Sequence, residues 1–430
     1  MKVLHQNIGV VVLMLLSTSG WGQSSGAWKP LEIDSIHGVI HVARRTVAPY
    51  PIALGNENIR AIYESCSRAP IAVVANHTSI IGEGREQSAI HLVDTLLALG
   101  LNVRKVFAPE HGFRGDSHNG AHIEDEKDAK TGLDIFSLHG KNRKPDPESL
   151  SDVRMIIFDI QDVGARFYTY LSTLFMVMEA AAELGKVVVV LDRPNPHGHQ
   201  LAGPIVEPEW ISFVGQIPVP VLHGMTLGEM ARMINGEGWL SEGRHCELIV
   251  IPCEGYAHSD RWFPSIPPSP NLRSDESIAL YPSLCPFEST VVSVGRGTST
   301  PFECIGWPGN QIGSFAFTPE SDRVAAPNPK HQGELCIGQN LTGLAQVWME
   351  ESHGFDWQLI HQYAREFQRI HPSKSFVEAP SSLARLTGSE EFFEVLSSSQ
   401  YPTSYPISWI AALVEFDKKR RPYLLYPMQR

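Results

Sequence analysis

From residue 71 to residue 253 the chain alternates short runs of β-branched residues with stretches whose apolar positions recur every three or four residues. The runs are Ile71–Ala75, Val103–Phe107, Arg154–Phe158, Val187–Leu191 and Leu248–Ile251. Continuous apolar runs of this length read as strands buried on both faces, as in a parallel sheet covered by helices. Residues 88–99 place Ile90, Leu92, Val93, Leu96, Leu97 and Leu99 at helical spacing and stop at Gly100. Residues 168–184 repeat that pattern and stop at Gly185. Residues 226–234 open with Thr226 and Glu229, the reciprocal pair that satisfies two backbone donors at a helix start. The alternation predicts βαβ units and therefore an α/β fold with a Rossmann-like, mostly parallel sheet.

After Tyr256 the texture changes. Pro264, Pro267, Pro268, Pro270, Pro282, Pro286, Pro301 and Pro308 punctuate a segment with few helical windows, and helix-like stretches such as residues 357–370 return from about residue 346. This predicts a sheet domain over residues 51–255 and a smaller α+β domain over residues 256–430 that completes a cleft. Residues 23–50 form a lead-in. Residues 1–22 read as a signal peptide: Lys2, an apolar run from Ile8 to Leu16, then Ser17 to Gly20. The run is shorter than the roughly 20 residues that span a bilayer, so the expectation is export to the periplasm or beyond with no stable membrane insertion. A buried N-terminal strand is the alternative.

Charge narrows the partners. The chain has 430 residues, 35 Lys and Arg against 47 Asp and Glu, and a net charge of −12 with the cations scattered, which excludes a nucleic-acid binder. Six cysteines contain no Cys-x-x-Cys pair, so no zinc knuckle or thioredoxin-like site is signalled; a few disulfides and free buried thiols both stay open. No Gly-x-Gly-x-x-Gly follows a strand, and no phosphate-binding P-loop, Gly-x-Ser-x-Gly or His-Glu-x-x-His occurs. The doubly wound shape therefore implies neither a dinucleotide nor a nucleoside triphosphate. A metal held by Glu110, Asp159, Asp162, Asp192 and His223 stays open, because carboxylate-rich sites need no fixed spacing.

The candidate chemistry lies at the strand ends, where open parallel sheets bind their ligands. The first strand runs into Asn76-His77-Thr78 and the second into Pro109-Glu110-His111-Gly112-Phe113-Arg114. The third runs into a segment bearing Asp159, Gln161, Asp162 and Arg166, and the fourth into Asp192-Arg193-Pro194-Asn195. Glu110, held between a strand and a glycine turn with Phe107 and Phe113 nearby, has the fixity and apolar neighbours that suit a general acid. Asp162 and Arg166 either face a pocket or form an internal ion pair. Beyond the boundary, Pro268–Asn271 and Val294–Glu303 are dense in Gly, Pro and hydrogen-bonding residues, with Arg296 and Glu303 as candidates. Tyr168 and Trp262 offer apolar faces.

These strings, with His223-Gly-Met-Thr226 and the terminal Arg421-Pro-Tyr-Leu-Leu-Tyr426, resemble the YbbC/NamZ-like exo-β-N-acetylmuramidases, a glycoside hydrolase family formerly known as a domain of unknown function. The matching strings span nearly all the mature chain in order. It implies a Rossmann-like domain and a smaller C-terminal domain with the site between them. It implies hydrolysis of a non-reducing-end N-acetylmuramic acid from peptidoglycan fragments without a cofactor. Glu110 would be the general acid, with Asp162 and Glu303 as candidates for the second carboxylate. Substrate contacts would come from Asn76, His111, Arg114, Asp159, Gln161, Arg166, Tyr168, Asp192, Arg193, Asn195, His223, Asn271 and Arg296. Arg166 or Arg296 would pair with the lactyl carboxylate of muramic acid, as a guanidinium forks onto a carboxylate. The rivals are a metal-dependent hydrolase using the same carboxylates and a non-catalytic binder of muropeptides.

Overall fold

The computed structural model describes residues 32–34, 38–82, 89–114, 126–351, 355–397 and 406–429. The signal peptide expected over residues 1–22 lies outside the described residues. The main sheet has seven strands: β1 (Ile71–Ala75), β2 (Val103–Ala108), β3 (Glu126–Lys127), β4 (Asp134–Ser137), β5 (Met155–Asp159), β6 (Val187–Leu191) and β7 (Glu247–Ile251). Their spatial order is β7-β6-β5-β1-β2-β4-β3, with every pair parallel except β3 and β4. The chain thus works outward from β1 through β2 to β4. It then returns beside β1 as β5 and works outward the other way, which is the doubly wound arrangement. The order reverses between β1 and β5, and their carboxyl ends open a crevice there.

The period of two along each strand explains why these runs are apolar throughout. Ala72, Val74, Ile156, Phe158, Val188 and Val190 enter one core. Their alternates Ile71, Val73, Ile157, Val187 and Val189 enter the other. Helices α1 (Ile59–Cys66) and α2 (Leu92–Ala98) cover the second face through Ile62, Leu92, Val93 and Leu96. Helices α3 (Tyr170–Leu184) and α4 (Leu227–Gly236) cover the first through Leu171, Leu174, Met178 and Met230. Gly185 ends α3 in the left-handed region, at φ 62°, and its N–H bonds Ala181. The expected reciprocal cap starts α4: Glu229 N–H donates to Thr226 Oγ1 at 3.2 Å, and Thr226 N–H donates to Glu229 Oε2 at 2.9 Å.

The proline-rich segment leads into α5 (Asp275–Leu284), a three-stranded antiparallel sheet of Cys304–Trp307, Cys336–Asn340 and Phe315–Phe317, and four further helices ending with Glu390–Ser397. Two features depart from the sequence reading. A four-stranded antiparallel sheet of Glu32–Asp34, Val39–His41, Gln200–Ile205 and Pro220–Leu222 adds a further layer over the first core. The chain's end also returns to the first domain, where helix Ile407–Arg420 packs on strand Gln200–Ile205. Buried Arg420 pairs with Asp417 and donates to the Gly224 carbonyl at 2.7 Å. The Tyr426 hydroxyl donates to Asp192 at 2.6 Å and accepts from the Cys253 N–H at 2.9 Å. All six cysteines are buried free thiols. Burial pushes Cys66 up to about 11 and Cys246 up to about 12, so neither is a ready nucleophile. Among the described residues no helix is long and apolar enough to cross a membrane.

Candidate active site

Glu110 leaves the carboxyl end of β2, one strand from the reversal point. The turn behind it holds His111 at φ 74° and Gly112 at φ 76°. A left-handed histidine is uncommon, and such strain gathers where a loop must present a particular group. Thr169, the residue that opens α3, donates its hydroxyl to Glu110 Oε2 at 3.1 Å. Tyr170 receives the Asn76 amide at 2.9 Å and donates to the Glu110 carbonyl at 3.4 Å. Thr169 thus holds the carboxylate and Tyr170 the backbone that carries it.

The facing wall comes from the second domain. Around Glu110 and His111 lies a solvent-open cleft of about 440 Å³ lined also by Phe167, Tyr168, Thr169, Tyr170, Ser269, Asn271, Leu272, Tyr281, Arg296 and Phe302. Two bonds tie the walls together: the Tyr168 hydroxyl donates to the Pro268 carbonyl at 2.7 Å, and His77 Nε2 lies 2.8 Å from the Pro267 carbonyl. Glu110 is the single carboxylate among the described residues that line the cleft. Asn271 donates to the Ala325 carbonyl at 2.7 Å while its buried Oδ1 has no protein donor. Arg296 lies over the Phe302 ring at 5.0 Å, its Nε and Nη2 fixed by Glu288 at 2.6 and 3.2 Å. Burial pulls the His111 imidazole down to about 4, against the opposing pull of Glu110, so the ring is neutral at pH 7.

The other expected contacts fall elsewhere. Arg166 is buried and donates to the carbonyls of Pro204, Val219 and Leu386 at 2.7–2.9 Å, a tie between domains. Its three carbonyl partners lie on segments other than the loop that carries Asp162. Of the two arginines expected to read a lactyl carboxylate, Arg296 alone lines the cleft. Asp159 is buried against Arg193 at 2.7 Å and Asn56 at 3.2 Å. Arg114 is clamped by Asp94 and Asp128. Asp192 caps α4 through Thr226 and Gly228, and burial raises its carboxyl to about 6. Asn195 accepts from the His197 N–H within a turn and donates to the Met225 carbonyl, and Gln161 donates to the Asp162 and Pro194 carbonyls. Burial pulls His223 down to about 3, with Arg420 and Arg166 nearby acting the same way. Both oxygens of Glu303 accept hydroxyl donors, from Ser274 and from Thr342. Asp162 is buried beside the reversal point, with Oδ1 on the Gly164 N–H at 2.6 Å and Oδ2 without a donor. Trp262 does not line the cleft.

Thr169, Tyr170, Tyr281 and Phe302 line the site without having been singled out. For the first two a signal existed, since the start of a helix after a strand-end loop is where backbone donors face a ligand. Among the described residues no three His, Cys, Asp or Glu side chains are grouped as metal ligands would be.

Fold and site together define a doubly wound α/β protein whose interdomain cleft is organised around one fixed carboxylate. Two family models match in order: exo-β-N-acetylmuramidase NamZ, N-terminal, over residues 71–276, and its C-terminal counterpart over residues 279–426. A peptidoglycan β-N-acetylmuramidase NamZ from Bacillus subtilis is 36% identical, the match covering 76% of this chain and 80% of that protein. Two crystal structures of DUF1343 family proteins from Bacteroides fragilis superpose with TM-scores of 0.79 and 0.72, at 37% and 27% identity. They cover 88% and 87% of this chain and 99% of each of theirs. The chain belongs to the NamZ exo-β-N-acetylmuramidase family.

Proposed function

We propose that this protein is a glycoside hydrolase that releases N-acetylmuramic acid from the non-reducing end of peptidoglycan fragments, with Glu110 protonating the departing glycosidic oxygen. The observation that carries this reading is the position of Glu110: a carboxylate fixed by Thr169 in a cleft closed by the second domain. A general acid must meet the leaving oxygen in a set geometry, and a carboxylate anchored at a strand end does so without rearrangement. Neutral His111, the amide of Asn271 and the Arg296 guanidinium supply hydrogen-bonding groups around the sugar, and Tyr168 and Phe302 supply apolar faces. Asp159, Asp192 and Glu303 are held by their own partners, which disfavours a metal cluster built from them. The pattern of residues 2–20 supports action outside the cytoplasm.

The test is Glu110→Gln. The amide keeps the acceptor for Thr169 but carries no transferable proton, so turnover of a chromogenic β-N-acetylmuraminide should fall at least about a hundredfold. The wild type should leave the matching glucosaminide nearly untouched. Near-normal turnover by a folded Glu110→Gln protein refutes the assignment, and stoichiometric binding without sugar release by the wild type makes the protein a binder.

A further inference from the structure

A second hollow, of about 790 Å³ and open to solvent, lies in the second domain and shares Arg296 with the catalytic cleft. Its floor is apolar, with Val292, Val294 and Pro329 buried. Its polar lining is Glu288, Ser293, Arg296, Asn328 and Lys330. The wall is pre-formed. Asp322 Oδ1 accepts from the Val324 and Ala325 N–H groups at 2.9 Å each, and Asp322 and Ala326 exchange two backbone bonds of 2.9 Å. Pro327 and Pro329 restrict the rest of the loop. The Asn271 bond to the Ala325 carbonyl ties this wall to the cleft, so the two hollows are fixed relative to each other.

We propose that the second hollow is a saccharide subsite for the leaving side of the substrate, holding the sugar that is released when the terminal muramic acid is cut off. This rests on the glycosidase reading above. An exo-acting enzyme that binds a terminal sugar beside Glu110 must accommodate the rest of the chain next to that cleft, and the hollow adjoins it. Its chemistry suits a neutral amphiphile. An apolar floor accepts the C–H face of a pyranose, while the exposed Asn328 amide offers hydrogen bonds to hydroxyl or acetamido groups at its edge. Its cations are already matched by carboxylates, Arg296 by Glu288 and Lys330 by Glu378 at 2.7 Å. An acidic stem peptide would have to compete with those pairs, and a sugar does not.

Asn328 is exposed at the hollow and does not line the cleft around Glu110. Asn328→Trp fills the mouth, and Asn328→Ala removes the amide. Three substrates are compared on full-length protein: an aryl β-N-acetylmuraminide, the disaccharide of N-acetylmuramic acid β-1,4-linked to N-acetylglucosamine, and that disaccharide with a peptide on its lactyl group. Asn328→Trp should lower kcat/KM for the plain disaccharide at least about tenfold and leave the aryl substrate within about twofold, the latter also showing that the variant is folded. Asn328→Ala should show the same selectivity with a smaller loss. Equal changes on all substrates, or none on any, overturn the subsite. A loss confined to the peptide-bearing substrate assigns the hollow to the stem peptide and also overturns it. If the wild type cleaves none of the three, the glycosidase reading itself has failed, which is a different result from failure of the subsite.

Discussion

Replacing Asp162 by Asn separates a catalytic carboxylate from a buried structural one. Asp162 sits fully inside the protein with Oδ1 on the Gly164 N–H and Oδ2 without a donor. Burial raises its carboxyl from the usual 3.8 to about 7, more than its backbone donors lower it. A group whose pKa is higher in the fold than in the unfolded chain favours the fold at low pH. That advantage is lost as pH climbs from about 4 to about 7, because the unfolded chain ionises first. The displacement is roughly three pH units, and at about 1.4 kcal/mol per unit the full effect is about 4 kcal/mol. Asn keeps the acceptor for Gly164 and never ionises. Any pH-independent cost of its new N–H groups cancels when the two proteins are compared at two pH values. Urea unfolding should therefore show Asp162→Asn gaining roughly 3 kcal/mol on the wild type between pH 4.5 and pH 8. The comparison isolates Asp162 from Asp192, which acts in the same direction, and from His111, His197 and His223, whose pKa values are lowered by burial and whose effect runs the opposite way. Parallel stability curves for the two proteins would refute this account. A loss of turnover as deep as that of Glu110→Gln, in a stable variant, would restore Asp162 as the second catalytic carboxylate.

Tyr426→Phe removes the hydroxyl that bonds both Asp192 and the Cys253 N–H, and should cost about 2 kcal/mol in urea unfolding while leaving KM for the aryl muraminide unchanged. Arg166→Lys cannot serve carbonyls on three separate segments with one ammonium; stability should fall by roughly 1–3 kcal/mol while the preference for muraminide over glucosaminide holds, and a changed preference would return Arg166 to the substrate.

The parallel sheet was legible because β1, β5 and β6 are buried on both faces and so carry almost nothing but apolar residues. Strand β4, Asp-Ile-Phe-Ser, was not: it is short, near the sheet edge, and only its alternate residues Ile135 and Ser137 are buried. The antiparallel layer was missed for a related reason, since Val39–His41 and Pro220–Leu222 are three residues each and pair across more than 150 positions of sequence only through Gln200–Ile205. The place of Glu110 in the cleft was legible because a strand end followed by Pro-Glu-His-Gly is a rigid presentation. Arg166 and Asp159 misled because a polar residue at a strand end can serve the architecture as well as the ligand. Which of the two it does depends on partners such as Leu386 and Arg193 that spacing does not reveal.

The return of the chain to the first domain gives the cleft its mechanical character. Residues from about 256 to 397 leave the sheet domain and come back as the helix Ile407–Arg420, so the second domain is attached by two chain crossings rather than one. A single crossing acts as a hinge. Two, reinforced by the His77 and Tyr168 bonds to Pro267 and Pro268 on one side and by Arg166 on Leu386 on another, oppose opening by rotation. The Tyr426–Asp192 bond locks the second crossing onto the same residue that caps α4, next to the strand ends from which the site is built. A cleft held in this way positions Glu110 against the facing wall before any ligand arrives. On the reading proposed for Glu110, the barrier reduction expected of a general acid comes from geometry fixed during folding rather than from closure around the sugar.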